Sequence, residues 1–173
     1  PNVHIIGQSR DNVIITGSRF SGLVEGGVTY STSTCQTLEL MANNVYMENV
    51  TVRNTAGVSA GQAVALKTYG DRCTFNNIKL TGYQDTHLTG SGRQWYLNSD
   101  IHGTVDYIFG GGDVFFETCL LYNEARSGGN VIVAPNTGGS LQWGYVFSSC
   151  TIDGDVATQN NQYLLGRPWQ NSP

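Results

Sequence analysis

At 173 residues the chain is long enough to bury a core of its own, and a charged fraction of only 13% beside 22 glycines describes a turn-rich β protein. With nine Lys and Arg against thirteen Asp and Glu there is no basic stripe to track a phosphate backbone, which excludes nucleic acid as a partner. No apolar run approaches the roughly 18 residues of a membrane span, and the three histidines and four cysteines lack zinc-ligand spacing, so neither a membrane nor a metal is expected.

From Val3 to Leu165 short strand-like runs alternate with Gly, Asn and Asp, and capped helical periodicity is hard to find. Five segments share one pattern, apolar, any, Asn/Ser/Thr, any, any, apolar: 47–52, 75–80, 96–101, 116–121 and 147–152. Their third positions are Asn49, Asn77, Asn98, Thr118 and Ser149, and their starts lie 28, 21, 20 and 31 residues apart. Unequal spacings of this size suit the coils of a solenoid whose insertions leave as loops. The expected fold is therefore all-β, a right-handed parallel β-helix, rather than an antiparallel sandwich. Equivalent residues would stack ~4.8 Å apart along the axis, with the Asn amides hydrogen-bonded up the stack.

Two consequences of the register are chemical. Asp85 and Asp106, 21 residues apart like Phe75 and Tyr96, would lie one coil apart on one face. Carboxylates that close repel, and the usual result is that one holds a proton while the other stays ionised, a division of roles common in catalysis. Cys119 and Cys150 share the fourth repeat position on consecutive coils, and the stacking distance falls within the Cα range of a disulfide, so they are expected to be bonded or at least in van der Waals contact. Cys35 and Cys73 share no register.

Residues 62–66 (Gln-Ala-Val-Ala-Leu), 82–86 (Gly-Tyr-Gln-Asp-Thr), Arg93-Gln94, 103–110 (Gly-Thr-Val-Asp-Tyr-Ile-Phe-Gly) and 165–169 (Leu-Gly-Arg-Pro-Trp) occur in that order. Together they closely resemble the pectin methylesterase (pectinesterase) family. The resemblance runs from about Val3 to Trp169, and five motifs in order make it specific. It implies a parallel β-helix and hydrolysis of galacturonate methyl esters in pectin, giving carboxylate and methanol without metal or cofactor. It also implies a secreted, monomeric enzyme of the cell wall, with a proteinaceous inhibitor as a further partner. Family members carry additional strands at both ends, so residues 1–173 are expected to be the central part of a single β-helix domain.

By the same resemblance Asp106 is the nucleophile, Asp85 the general acid that protonates departing methanol and then the base for water, and Gln84 and Gln62 the stabilisers of the oxyanion. Side-chain chemistry fits these roles. A carboxylate can attack an ester without a base to activate it, and Arg167 looks like its guanidinium partner. Asp85 needs a raised pKa to carry a proton, and amide N–H groups are neutral donors to a developing oxyanion. Trp169 and Phe109 are expected to bind sugar faces beside the pair. One departure is local: where the family reads Asp-Thr-Leu-Tyr, this chain reads Asp85-Thr86-His87-Leu88, so a cleft aromatic is missing and His87 is expected at the cleft edge.

Three other readings compete. Residues 57–61 (Gly-Val-Ser-Ala-Gly) match the nucleophile elbow of serine hydrolases, but the segment after Ser59 reads as a strand where an elbow needs a helix. Paired carboxylates also suit a retaining glycosidase, and a solenoid can bind carbohydrate without turning it over.

Overall fold

The computed structural model describes residues 2–155 and 163–169. Three six-stranded parallel sheets run the length of the molecule. Sheet A holds Val3–Ile6, Val45–Glu48, Cys73–Asn76, Arg93–Leu97, Asp113–Glu117 and Tyr145–Ser148. Sheet B holds Ile14–Gly17, Thr51–Asn54, Lys79–Thr81, Asp100–Gly103, Leu120–Asn123 and Thr151–Gly154. Sheet C holds Leu38–Leu40, Leu66–Thr68, His87–Thr89, Val105–Gly110, Asn130–Pro135 and Tyr163–Gly166. The chain visits A, B and C in turn and then begins the next coil, which is a right-handed parallel β-helix. The small Val24–Glu25/Val28–Thr29 hairpin is an antiparallel insertion.

The repeat offsets are the register itself. Met47 pairs with Phe75, Phe75 with Tyr96, Tyr96 with Phe116 and Phe116 with Phe147. These side chains point inward and stack: Phe75 on Tyr96 at 4.5 Å between ring centroids, Tyr96 on Phe116 at 5.0 Å and Phe116 on Phe147 at 4.7 Å, all within 20° of parallel. Val52, Leu80, Ile101, Leu121 and Ile152 form the facing ladder from sheet B. Between A and B the chain turns in two residues, the first in the left-handed region: Asn49, Asn77, Asn98, Thr118 and Ser149 have φ between 50° and 57°. Asn adopts that conformation at less cost than most residues, which explains the third position of the repeat. The expected amide ladder is seen between Asn77 Nδ2 and Asn49 Oδ1 at 2.7 Å.

Two expectations are corrected by the packing. Cys119 and Cys150 do stack on successive coils with their thiols interacting, as the contact half of the expectation had it, and burial first and the second thiol after it push the Cys119 pKa up to about 12; the bond is what is corrected, since both cysteines are free. In-register parallel strands hold the two Cβ atoms side by side at the ~4.8 Å rise, whereas a disulfide draws them to roughly 3.5–4.5 Å. Each thiol also lies against carbonyl oxygens, Cys119 at Tyr96 and Glu117, Cys150 at Phe116 and Ser148.

His87 is not at the cleft edge. It is fully buried, edge-on to Tyr96 at 5.1 Å, with Nδ1 3.1 Å from the Leu66 carbonyl oxygen and Nε2 without a partner. Alternation along the strand decides this: His87 faces the core, so Leu88 faces the groove. Burial lowers the His87 pKa from 6.5 to about 4. The unfolded chain therefore takes up a proton below pH 6.5 that the fold refuses until about pH 4, so stability is full above 6.5 and falls as the pH drops through that window. At about 1.4 kcal/mol per pH step the loss attributable to His87 reaches roughly 3 kcal/mol. His87→Leu should flatten the melting temperature between pH 6.5 and 4; an unchanged acid slope would contradict this account.

Candidate active site

The outer face of sheet C forms the floor of a groove of about 620 Å³, lined among others by Gln62, Gln84, Asp85, Asp106, Phe109, Arg167 and Trp169. All seven residues singled out from the sequence thus meet in one place, drawn from a stretch of more than a hundred positions. Their meeting follows from the stacking. His87 pairs with Ile108 and Leu88 with Phe109, which sets Asp85 and Asp106 on adjacent rungs, and the Asp85 N–H donates to the Val105 carbonyl at 3.0 Å.

Both aspartates are 7% exposed and both adopt left-handed backbone, φ 64° at Asp85 and 50° at Asp106. Such conformations cost non-glycine residues on the order of 1–3 kcal/mol and cluster at functional sites. At Asp106 the cause is a break in pairing, since the register with the next strand shifts between Val105 and Ile108. A bulge of this kind re-aims a side chain out of a regular strand. The same motif ends on Gly110, whose φ is 116° and where a Cβ would lie 1.9 Å from the Thr89 carbonyl oxygen. Only glycine fits there.

Arg167 reaches Asp106 with a two-pronged contact, Nε to Oδ1 at 2.8 Å and an Nη2 bond to Oδ2. It comes from beside Tyr163–Gly166, two rungs along sheet C, and must span the intervening strand, about 10 Å. A forked guanidinium fixes the orientation of both carboxylate oxygens, which the point charge of a lysine would not.

Asp85 has no such partner. Desolvation by burial, and then the charge of Asp106, raise its pKa from 3.8 to about 7, against the opposing pull of Arg167 and a hydrogen bond with the Gln84 side chain. Leu88, Phe109 and Ala134 line the groove with Asp85 and belong, with Val64 and Cys35, to one buried apolar cluster, surroundings that solvate an ionised carboxylate poorly. The two carboxyl groups therefore differ in environment although they stand on adjacent rungs.

Gln62 and Gln84 form an isolated parallel bridge, so both flank the aspartates from the upstream edge, Gln62 exposed and Gln84 half-buried. Phe109 is 2% exposed and packs edge-on against Trp169 at 5.5 Å between centroids. It supports the tryptophan more than it offers a face of its own. Ser59 sits in the exposed one-turn 3-10 helix Val58–Ala60, outside the groove lining, and the following segment is extended, so the hydrolase elbow has no counterpart here. Among the described residues no group of three His, Cys, Asp or Glu side chains is placed to hold a metal ion. Tyr69 and Asn136 also line the groove and were not evident from the sequence; their position just past strand ends in sheet C is the signal that would have found them.

The family model for pectinesterase matches residues 1–172. Among its relatives, a probable pectinesterase/pectinesterase inhibitor of Arabidopsis thaliana is 38% identical over 97% of this chain, which spans 30% of that protein. The pectin methylesterase of Yersinia enterocolitica superposes with a TM-score of 0.93 at 30% identity, covering 99% of this chain and 60% of that structure. A pectin methylesterase solved in complex with a hexasaccharide gives a TM-score of 0.90 at 29% identity, over 98% of this chain and 57% of that one. The match runs the length of the β-helix described above, and the chain belongs to the pectinesterase family.

Proposed function

We propose that the protein to which this stretch of β-helix belongs hydrolyses the methyl esters of galacturonate units in pectin, releasing methanol. The observation that carries the reading is the asymmetric pair on adjacent rungs of one groove: Asp106 oriented by the Arg167 fork, Asp85 held protonated toward neutral pH by burial and by its neighbour. In this reading the Asp106 carboxylate attacks the ester carbonyl, and charge builds on the carbonyl oxygen. The amides of Gln62 and Gln84 donate to it. Asp85 passes its proton to the departing methoxy oxygen, leaving methanol and an acyl-enzyme on Asp106. The Asp85 carboxylate then takes a proton from water as that water attacks the acyl carbon, which restores both groups and frees the galacturonate. The Gln84 side chain also hydrogen-bonds Asp85, which ties the oxyanion donor to the acid.

The hexasaccharide complex of a related pectin methylesterase supports a polysaccharide as the occupant of the groove. Action on such a polymer supports a place for the protein outside the cell, at the wall. The names of plant relatives that join pectinesterase to pectinesterase inhibitor support an inhibitory protein partner; a monomer is the working state.

The deciding experiment is incubation of the full-length protein with highly methyl-esterified pectin, measuring methanol and reducing ends together. Methanol without new reducing ends is expected. New reducing ends would favour the glycosidase that paired carboxylates also allow, and binding without either product would favour a non-catalytic solenoid.

A further inference from the structure

One residue position recurs beyond the ends of five of the six strands of sheet C. Tyr69, Gly90, Gly111, Asn136 and Trp169 each donate their backbone N–H to the strand end one coil back, to Leu40, Thr68, Thr89, Gly110 and Pro135 respectively. They are therefore equivalent rungs of one ladder, and all five line the groove. Tyr69 and Trp169 stand at its two ends, four interstrand steps or about 19 Å apart. The rungs beside the aspartate strands are Gly90 and Gly111, which add no side chain.

The tyrosine is built into place. Its ring lies over the Gly90 α-carbon, where a Cβ would come within 2.5 Å of ring atoms Cγ and Cδ1. The Lys67 ammonium sits 5.4 Å from the ring centroid and is itself held by Glu39 at 2.8 Å and the Ser33 carbonyl at 2.7 Å. A ring fixed in this way and still 41% exposed presents a preorganised aromatic face to the groove. Between it and the catalytic pair the floor carries the aliphatic Leu88, 6% exposed.

We infer that Tyr69 is a substrate-binding residue, the upstream counterpart of Trp169, and that one polysaccharide strand lies along the helix axis with a sugar ring on each aromatic face and the scissile ester of a residue between them turned toward Asp85 and Asp106. This rests on the polysaccharide reading of the groove given above. It predicts a dependence on chain length, because only an oligomer long enough to span the four steps reaches both faces.

The test compares the full-length protein with its Tyr69→Ala and Tyr69→Phe variants on two probes, highly methyl-esterified polygalacturonate and a monomeric galacturonate methyl ester. Equilibrium binding of each probe is measured by calorimetry in an Asp106→Asn background, and methanol release in the native one. Tyr69→Ala should weaken polymer binding and raise its KM on the order of tenfold, with kcat and the monomer reaction unchanged; Tyr69→Phe should restore the wild-type values. Equal polymer binding by Tyr69→Ala and wild type would overturn the inference, as would failure of phenylalanine to rescue or a loss shared by the monomer. Absence of methanol from the wild type would instead count against the hydrolase reading, since the binding comparison is read independently of turnover.

Discussion

Replacing Asp106 by asparagine is expected to lower methanol release from methyl-esterified pectin by several orders of magnitude while leaving pectin binding in place. The substitution keeps the shape of the side chain and one acceptor oxygen for the Arg167 fork, but an amide is a poor attacking group. The loss should appear in kcat and in kcat/KM alike, the mark of an interaction made in the transition state. Adding Asp85→Asn should cost little more, because the acid has no step to assist once attack fails. Near-normal turnover by Asp106→Asn together with inactivity of Ser59→Ala would reverse the assignment.

The second large effect concerns Asp85, and activity and stability should move in opposite directions. In the proposed mechanism Asp85→Asn removes the proton donor to methanol and the base for water, and a loss of roughly 10²–10⁴-fold is expected. In the native protein kcat/KM should decline as the pH rises past about 7, where Asp85 gives up its proton, and the variant should lack that limb. The sign for stability follows from the same shift. The unfolded chain releases the proton near pH 3.8 and the fold only near 7, so the contribution is full below 3.8 and is lost as the pH climbs through that window. Above pH 7 the ionised, buried carboxylate costs the fold up to roughly 4 kcal/mol. Asp85→Asn should therefore melt higher than the native protein at pH 8 and show no advantage near pH 4. A variant that is less stable at both pH values would mean that Asp85 is held by favourable contacts rather than kept at a cost.

A preference of this kind is invisible in sequence because it depends on what surrounds the carboxyl group. Equivalent repeat positions and a shared neighbourhood could be read from the 21-residue offset; the apolar cluster to which the groove residues Leu88 and Phe109 belong could not. The same division holds for Arg167. Its motif marked it as a partner for Asp106, yet the two are 61 residues apart, and only the stacking of sheet C brings the guanidinium across an intervening strand to both oxygens.

The sequence by itself determined the coil register, since parallel in-register stacking forces equivalent residues onto one line: the offsets of 28, 21, 20 and 31 are the observed pairings of Met47, Phe75, Tyr96, Phe116 and Phe147. It also determined the turn positions, where Asn, Thr or Ser accepts the left-handed conformation. Tertiary structure decided which way each side chain points and how near its neighbours come. Cys119 and Cys150 stack on successive coils as the repeat required, yet remain free thiols. His87 belongs to the core and Leu88 to the groove because alternation along a strand is set by the sheet it joins. Tyr69 became a groove residue because the next coil offers a glycine beneath its ring, a fact of packing that no repeat position announces.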